Sequence, residues 1–176
     1  LYIGMILMIK LMLRLVRMQQ TLNIHIGEVK VAKDGEILKA ILGSCVGIGM
    51  IWKEKKICGL AHCLLPESPA PTFNIGARYV DQAIRSLVAL MKIKPGDTSK
   101  VEVIIVGGGN MTSPGAEDNS RLVGSHNFRV ALREAKKYQF CIRYSDGGGE
   151  EGRKVYIDSS DYTFRVEKIP RIIGVA

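Results

Sequence analysis

Two apolar runs of strand length, VGIGMIW (46–52) and ICGLAHCLLP (57–66), flank the charged turn KEKK. Runs of this kind read as neighbouring strands of a hairpin or meander, and the glycines of the first permit close backbone approach. A tight Gly43-Ser44-Cys45 turn joins the first run to the preceding segment EILKAIL, so a cysteine stands at one end of the hairpin. The return strand carries a single histidine, His62. Period-two geometry puts Cys58, Leu60, His62 and Leu64 on one face of that strand and Ala61 and Cys63 on the other. A nucleophile and a candidate base thus lie on adjacent strands.

The rest of the chain supplies a scaffold. LNIHIGEVKV (22–31) alternates like a strand, and Asp34-Gly35 is a two-residue turn signal before EILKAIL. The Pro-rich stretch PESPAPTFN (66–74) reads as a surface loop able to border a site. From Gly76 to Lys92, Val80, Ala83, Ile84, Leu87, Val88 and Met91 recur at helical spacing, and Pro95-Gly96-Asp97 ends that helix. VEVIIV (101–106) has the continuous apolar character of a strand buried on both faces. The glycines after it, Gly107-Gly108-Gly109, fit neither GxGxxG nor GxxxxGK, so a phosphate site is not indicated. They read instead as residues that let the backbone lie close to a neighbouring loop. A second helix is expected over Ser120–Tyr138, then the strand FCIRYSD, and last a hairpin of KVYID and YTFRVEK around Ser159-Ser160-Asp161. Strands outnumber helices, and two main helices suffice to cover a mixed sheet, which makes the fold class α/β.

The chain of 176 residues is long enough for one core without staples. Its net charge is +8, but without Lys10, Arg14 and Arg17 the balance is 22 basic against 17 acidic residues. No basic run with interleaved aromatics suggests nucleic-acid readout. Cys45, Cys58, Cys63 and Cys141 form no CxxC pair, which points to a reducing compartment and a cytoplasmic protein. Residues 1–17 are apolar but interrupted by basic side chains, a poor membrane span with no secretory cleavage pattern. They are expected to be an extension outside a single domain of residues 18–176, with an amphipathic surface helix as the second reading.

A thiolate attacks a carboxamide carbon when a nearby imidazole takes its proton, and an exposed turn such as Gly43-Ser44-Cys45 can present N–H groups to the oxyanion. The same pattern also suits a buried small thiol and a satisfied core histidine. A metal site of Cys58, His62 and Cys63 is disfavoured, because CxxxHC is not a zinc spacing and the alternation splits the ligands between two faces. His25 and His126 sit in ordinary polar settings.

LGSCVGIGMI, the GLAHCLLP that places its histidine seventeen residues after the cysteine, VIIVGGGNM and GGGEEGRKVYID occur in this order. Together they resemble the chemoreceptor glutamine deamidase family, CheD, over roughly residues 22–168. The resemblance implies a three-layer α/β sandwich, mixed sheets with two main helices, and a cysteine hydrolase needing no cofactor. Its partners would be the cytoplasmic domains of chemoreceptors and a CheC-type phosphatase, with no stable membrane insertion. By motif, Cys45 becomes the nucleophile and His62 the general base and acid. The family's third member is a threonine six residues before the cysteine, and Lys39 stands there. Lysine cannot replace that hydroxyl, and its charge would disfavour an imidazolium close by. Two readings follow: an active glutamine deamidase, or a non-catalytic module of the same fold that binds the phosphatase or the receptor. A cysteine peptidase is disfavoured for want of a recognisable Asn/Asp partner.

Overall fold

The computed structural model describes residues 2–15, 19–111 and 123–171. After helix α1 (Tyr2–Leu15) come strands β1 (Thr21–Asn23), β2 (Val29–Ala32), β3 (Ile37–Leu42), β4 (Val46–Trp52) and β5 (Ile57–Cys63). Helix α2 (Val80–Leu90), β6 (Glu102–Gly107), helix α3 (Val123–Lys137), β7 (Cys141–Gly147), β8 (Gly152–Asp158) and β9 (Thr163–Ile169) complete the order. Five strands make one mixed sheet in the order β2-β5-β4-β6-β7, and four make another in the order β1-β3-β8-β9. The helices α2 and α3 cover one face of the larger sheet, and the smaller sheet covers the other. This is a three-layer α/β sandwich, as the sequence led us to expect.

Strand alternation builds a core on each side of the larger sheet. Val46, Ile48, Met50 and Trp52 of β4 meet Val80, Ala83, Ile84 and Leu87 of α2 and Val130, Ala131 and Ala135 of α3. On the opposite side Ile51, Leu60 and Ile104 meet Leu38, Leu42, Val155 and Ile157 of the smaller sheet. Every residue of β4 and β5 is buried, which is why their sequences carry no polar alternation. The sheets approach most closely where β4 lacks a side chain: a Cβ on Gly49 would stand 2.6 Å from Ile157 Cδ1. Each fully buried leucine or isoleucine here is worth about 1.5–3 kcal/mol of transfer free energy.

Two boundaries differ from the sequence reading. The 22–31 segment is two strands in different sheets, β1 and β2, because the chain crosses from one sheet to the other at Ile24–Glu28, with Gly27 at φ 83°. Helix α2 begins at Val80 because the preceding residues are used in extended pairing: Ala77 bridges Gly27 and Tyr79 bridges Leu65. Helix α3 is described from Val123, and the start expected at Ser120 lies outside the described residues. The Asp34-Gly35 turn forms with both residues at positive φ, and it too carries the chain between sheets. In α1 the side chains of Tyr2, Ile3, Leu7, Met8, Leu11 and Met12 are exposed, and neither core includes any of residues 2–12 of this helix. No helix of the described residues is long and apolar enough to cross a membrane.

Candidate active site

The β4–β5 hairpin pairs Val46 with Cys63 and Gly47 with His62. Cys45, immediately before β4, is therefore the diagonal neighbour of His62, and both side chains face the smaller sheet. Diagonal Cα atoms lie about 7–8 Å apart, within reach of a ring and a thiol. Gly47, directly opposite His62, has no side chain of its own, and Leu42 packs over it, its Cδ1 2.8 Å from where a Cβ would stand. Both groups are buried, at 6 % exposure for Cys45 and 5 % for His62. The crossing segment between β1 and β2 closes over the histidine. Its Nδ1 is 3.0 Å from the Ile24 carbonyl, and its backbone bonds to Glu28 and Gly27.

A carbonyl only accepts, so Nδ1 carries the proton and Nε2 presents a lone pair. That Nε2 is buried and has no hydrogen-bond partner among the described residues. Burial lowers the His62 pKa, reinforced by nearby His25 and opposed by the Ile24 bond and the Glu28 charge. Burial also raises the Cys45 thiol above its ordinary value. The resting pair is consequently a neutral thiol beside a neutral imidazole in its base form.

The turn that carries Cys45 is held from outside. Gly109 N–H donates to the Gly43 carbonyl at 2.9 Å, and Gly108 N–H donates to the Cys45 carbonyl at 2.8 Å. Gly107 has φ 111°, and a Cβ there would stand 2.3 Å from the Cys45 oxygen. The triple glycine is thus a close backbone approach, as its sequence suggested, and what it approaches is the Cys45 turn. The β7–β8 loop backs it up: Asn110 N–H donates to Gly149 at 2.7 Å, and a Cβ on Gly109 would meet the Glu151 carbonyl at 2.7 Å. Buried Arg153 fastens that loop, donating to Glu151 and Gly148 carbonyls and pairing with Asp146 at 2.9 Å. Sequence reasoning overlooked Arg153, although an arginine alternating with apolar residues in a strand is itself a signal of a buried, paired charge.

Lys39 lies elsewhere than its motif position suggests. Leu38, Ala40 and Leu42 of β3 point into the inter-sheet core, so Lys39 points outward, its Nζ 5.7 Å from the centre of the Tyr156 ring. Its ammonium is not among the groups that shift His62. The Lys39 main chain does contribute, since its carbonyl accepts from Ile24 N–H at 2.8 Å and so fixes the residue that orients the imidazole. Of the other thiols, Cys58 faces the inter-sheet core with its pKa pushed up to about 12, Cys63 faces the helices, and Cys141 is exposed. With Cys63 on the opposite face from Cys58 and His62, these three cannot share a metal. His25 and His126 are exposed.

The family described as CheD chemotactic sensory transduction matches residues 64–168. A probable chemoreceptor glutamine deamidase CheD 2 of Ruegeria sp. (strain TM1040) is 36% identical over 169 residues, covering 87% of this chain and 94% of that protein. The chain belongs to the CheD family. Probable chemoreceptor glutamine deamidases CheD of Bdellovibrio bacteriovorus, 36% identical over 85% of this chain and 95% of theirs, and of Thermococcus kodakarensis, 35% identical over 84% and 92%, are similar over nearly their whole lengths. The CheD match includes the β6 strand, the triple glycine and the Arg153 loop, the elements that hold the Cys45 turn, while Cys45 and His62 precede the span of the family match.

Proposed function

We propose that this chain is a protein-glutamine deamidase that acts on the cytoplasmic domains of chemoreceptors, with Cys45 as nucleophile and His62 as general base and acid. The observation that carries the reading is the buried, partnerless Nε2 of His62, held in its base form on the face that Cys45 shares. As Cys45 Sγ attacks the glutamine Cδ, its proton passes to Nε2 and the carbonyl π electrons move to oxygen. The oxyanion collapses, His62 protonates the departing amine, and ammonia leaves a thioester. Water then adds to the thioester with His62 as base, releasing glutamate and restoring the thiol, so that glutamine and water give glutamate and ammonia.

Near the Cys45 turn two apolar side chains are exposed, Leu64 just beyond Cys63 in the hairpin and Met111, whose Cγ would lie 3.0 Å from a Cβ on Gly43. They suit contact with an amphipathic helical substrate. The names of the relatives support the substrate class. A CheC-type phosphatase is the regulatory partner this reading adds, and the cytoplasm is where it would operate. The non-catalytic alternative rested on Lys39 standing where the family has a threonine; the catalytic reading is supported by the lysine charge lying outward over the Tyr156 ring and by the Ile24 carbonyl holding His62 Nδ1.

Intact-mass analysis of a receptor cytoplasmic fragment tests the proposal. Wild-type protein adds about one mass unit per modified glutamine and releases one ammonia, while Cys45→Ala does neither. A well-folded wild type silent on every receptor of its own cell would end it, and chain cleavage in place of ammonia release would make it a peptidase.

A further inference from the structure

The Cys45 turn is also gripped from the helix layer. Asn127 of α3 is completely buried, and its Nδ2 donates to the Leu64 carbonyl at 2.9 Å and to the Ser44 carbonyl at 3.3 Å. With two carbonyls as neighbours the amide orientation is settled, since the reverse would set oxygen against both. The start of α3 is seated so that this contact forms: a Cβ on Gly124 would lie 2.8 Å from the Gly108 backbone. One turn later, Asn127 joins the Cys45 turn to the end of the strand that carries His62.

The two carbonyls differ in meaning. Ser44 C=O and Cys45 N–H belong to one peptide plane, and in a trans peptide they point in opposite directions. Holding the Ser44 oxygen toward α3 therefore aims the Cys45 N–H away from it. In the same way Gly109, by holding the Gly43 oxygen, aims the Ser44 N–H. Among the described residues neither of these N–H groups donates a hydrogen bond.

We infer that Asn127 is a positioning residue for the deamidation proposed above: by fixing the Ser44–Cys45 peptide it preorganises the Cys45 N–H as a donor to the developing oxyanion. This rests on the deamidase reading and adds a second requirement to it, because the thiol and imidazole act on the proton while Asn127 acts, through the peptide, on the charge that appears on the substrate oxygen.

The test uses full-length wild type, Asn127→Ala and Asn127→Ser with two readouts. One is kcat and KM for ammonia release from a receptor cytoplasmic fragment. The other is the rate of Cys45 alkylation by iodoacetamide, followed peptide by peptide because Cys141, unlike buried Cys45, is exposed. Alkylation displaces iodide at a saturated carbon and forms no oxyanion. Asn127→Ala should lower kcat by about 100-fold, with KM and Cys45 alkylation within about two-fold of wild type. Asn127→Ser, which keeps one donor, should fall between. An unchanged kcat overturns the role, and so does a parallel fall in kcat and alkylation, which would mean that Asn127 holds the thiol and imidazole themselves. Loss of cooperative unfolding in both variants would assign it to the fold alone. A wild type that alkylates normally yet releases no ammonia fails as a deamidase, and the role of Asn127 fails with it.

Discussion

Protonating His62 places a charge in a buried site whose Nδ1 proton is already committed to Ile24. The base form therefore persists below the ordinary histidine range, and the acid limb of kcat/KM is expected to have its midpoint under pH 6.5. A midpoint above that value would mean that burial does not keep His62 of the free enzyme in its base form. His62→Gln keeps a polar side chain but removes the base, and its kcat should fall by about 100- to 10,000-fold with KM little changed. Lys39 offers the contrasting case. Because only its main chain touches the catalytic arrangement, Lys39→Thr is expected to change kcat by less than about three-fold and stability by no more than about 0.5 kcal/mol. A large gain in rate would restore the idea that a hydroxyl belongs there.

Elements act here through their backbones. The GGG turn after β6 holds the Cys45 turn by two main-chain hydrogen bonds, and Gly107 has no room for a methyl group. Gly107→Ala should cost about 3 kcal/mol or more and abolish turnover, since both the positive φ and the contact with the Cys45 oxygen oppose it. Gly148→Ala is the matched control: φ is 77° there too, but a Cβ meets nothing within 4 Å, so only the conformational cost of about 1–2 kcal/mol remains. Equal urea midpoints for the two variants would refute the close-approach reading. Much of this level was legible in the sequence. The hairpin, its faces, the buried β6 strand and the crowded glycines all follow from periodicity and composition, because each is a local property. The crossing at Ile24–Glu28 was not, since a strand's alternation carries no label for the sheet it joins. Nor was Asn127 visible: it sits in a helix whose polar positions look solvated until β4 and β5 are laid beneath it. The orientation of His62 by a carbonyl was equally hidden, because a backbone oxygen leaves no mark in the residue alphabet.

At the scale of the whole molecule, buried thiols set the alkaline limit. Cys58 is raised to about 12 by burial and by the Asp158 and Glu36 charges, and Cys63 is raised as well. A group whose folded pKa exceeds its unfolded value contributes stability that is full below the unfolded value and is lost as pH rises through the folded one. Between pH 9 and pH 12 the unfolded chain releases the Cys58 proton and the native chain retains it, so stability falls by at most about 1.4 kcal/mol per pH unit per thiol. Urea midpoints at pH 8 and pH 10 should show this decline, and Cys58→Ala should show a shallower one. An unchanged slope would mean that Cys58 does not contribute to it.

His62 rides on one sheet, but the carbonyl that orients it leaves from the edge of the other, through a crossing only a few residues long. The imidazole is thus a gauge of the spacing between two sheets, and its tautomer reads out how they are stacked. A substitution that pushed the sheets apart, such as Gly49→Ala against Ile157, would therefore be expected to disturb the Ile24–His62 bond as well. In a lineage of such proteins, drift in the core and drift in turnover would be the same event seen from two sides.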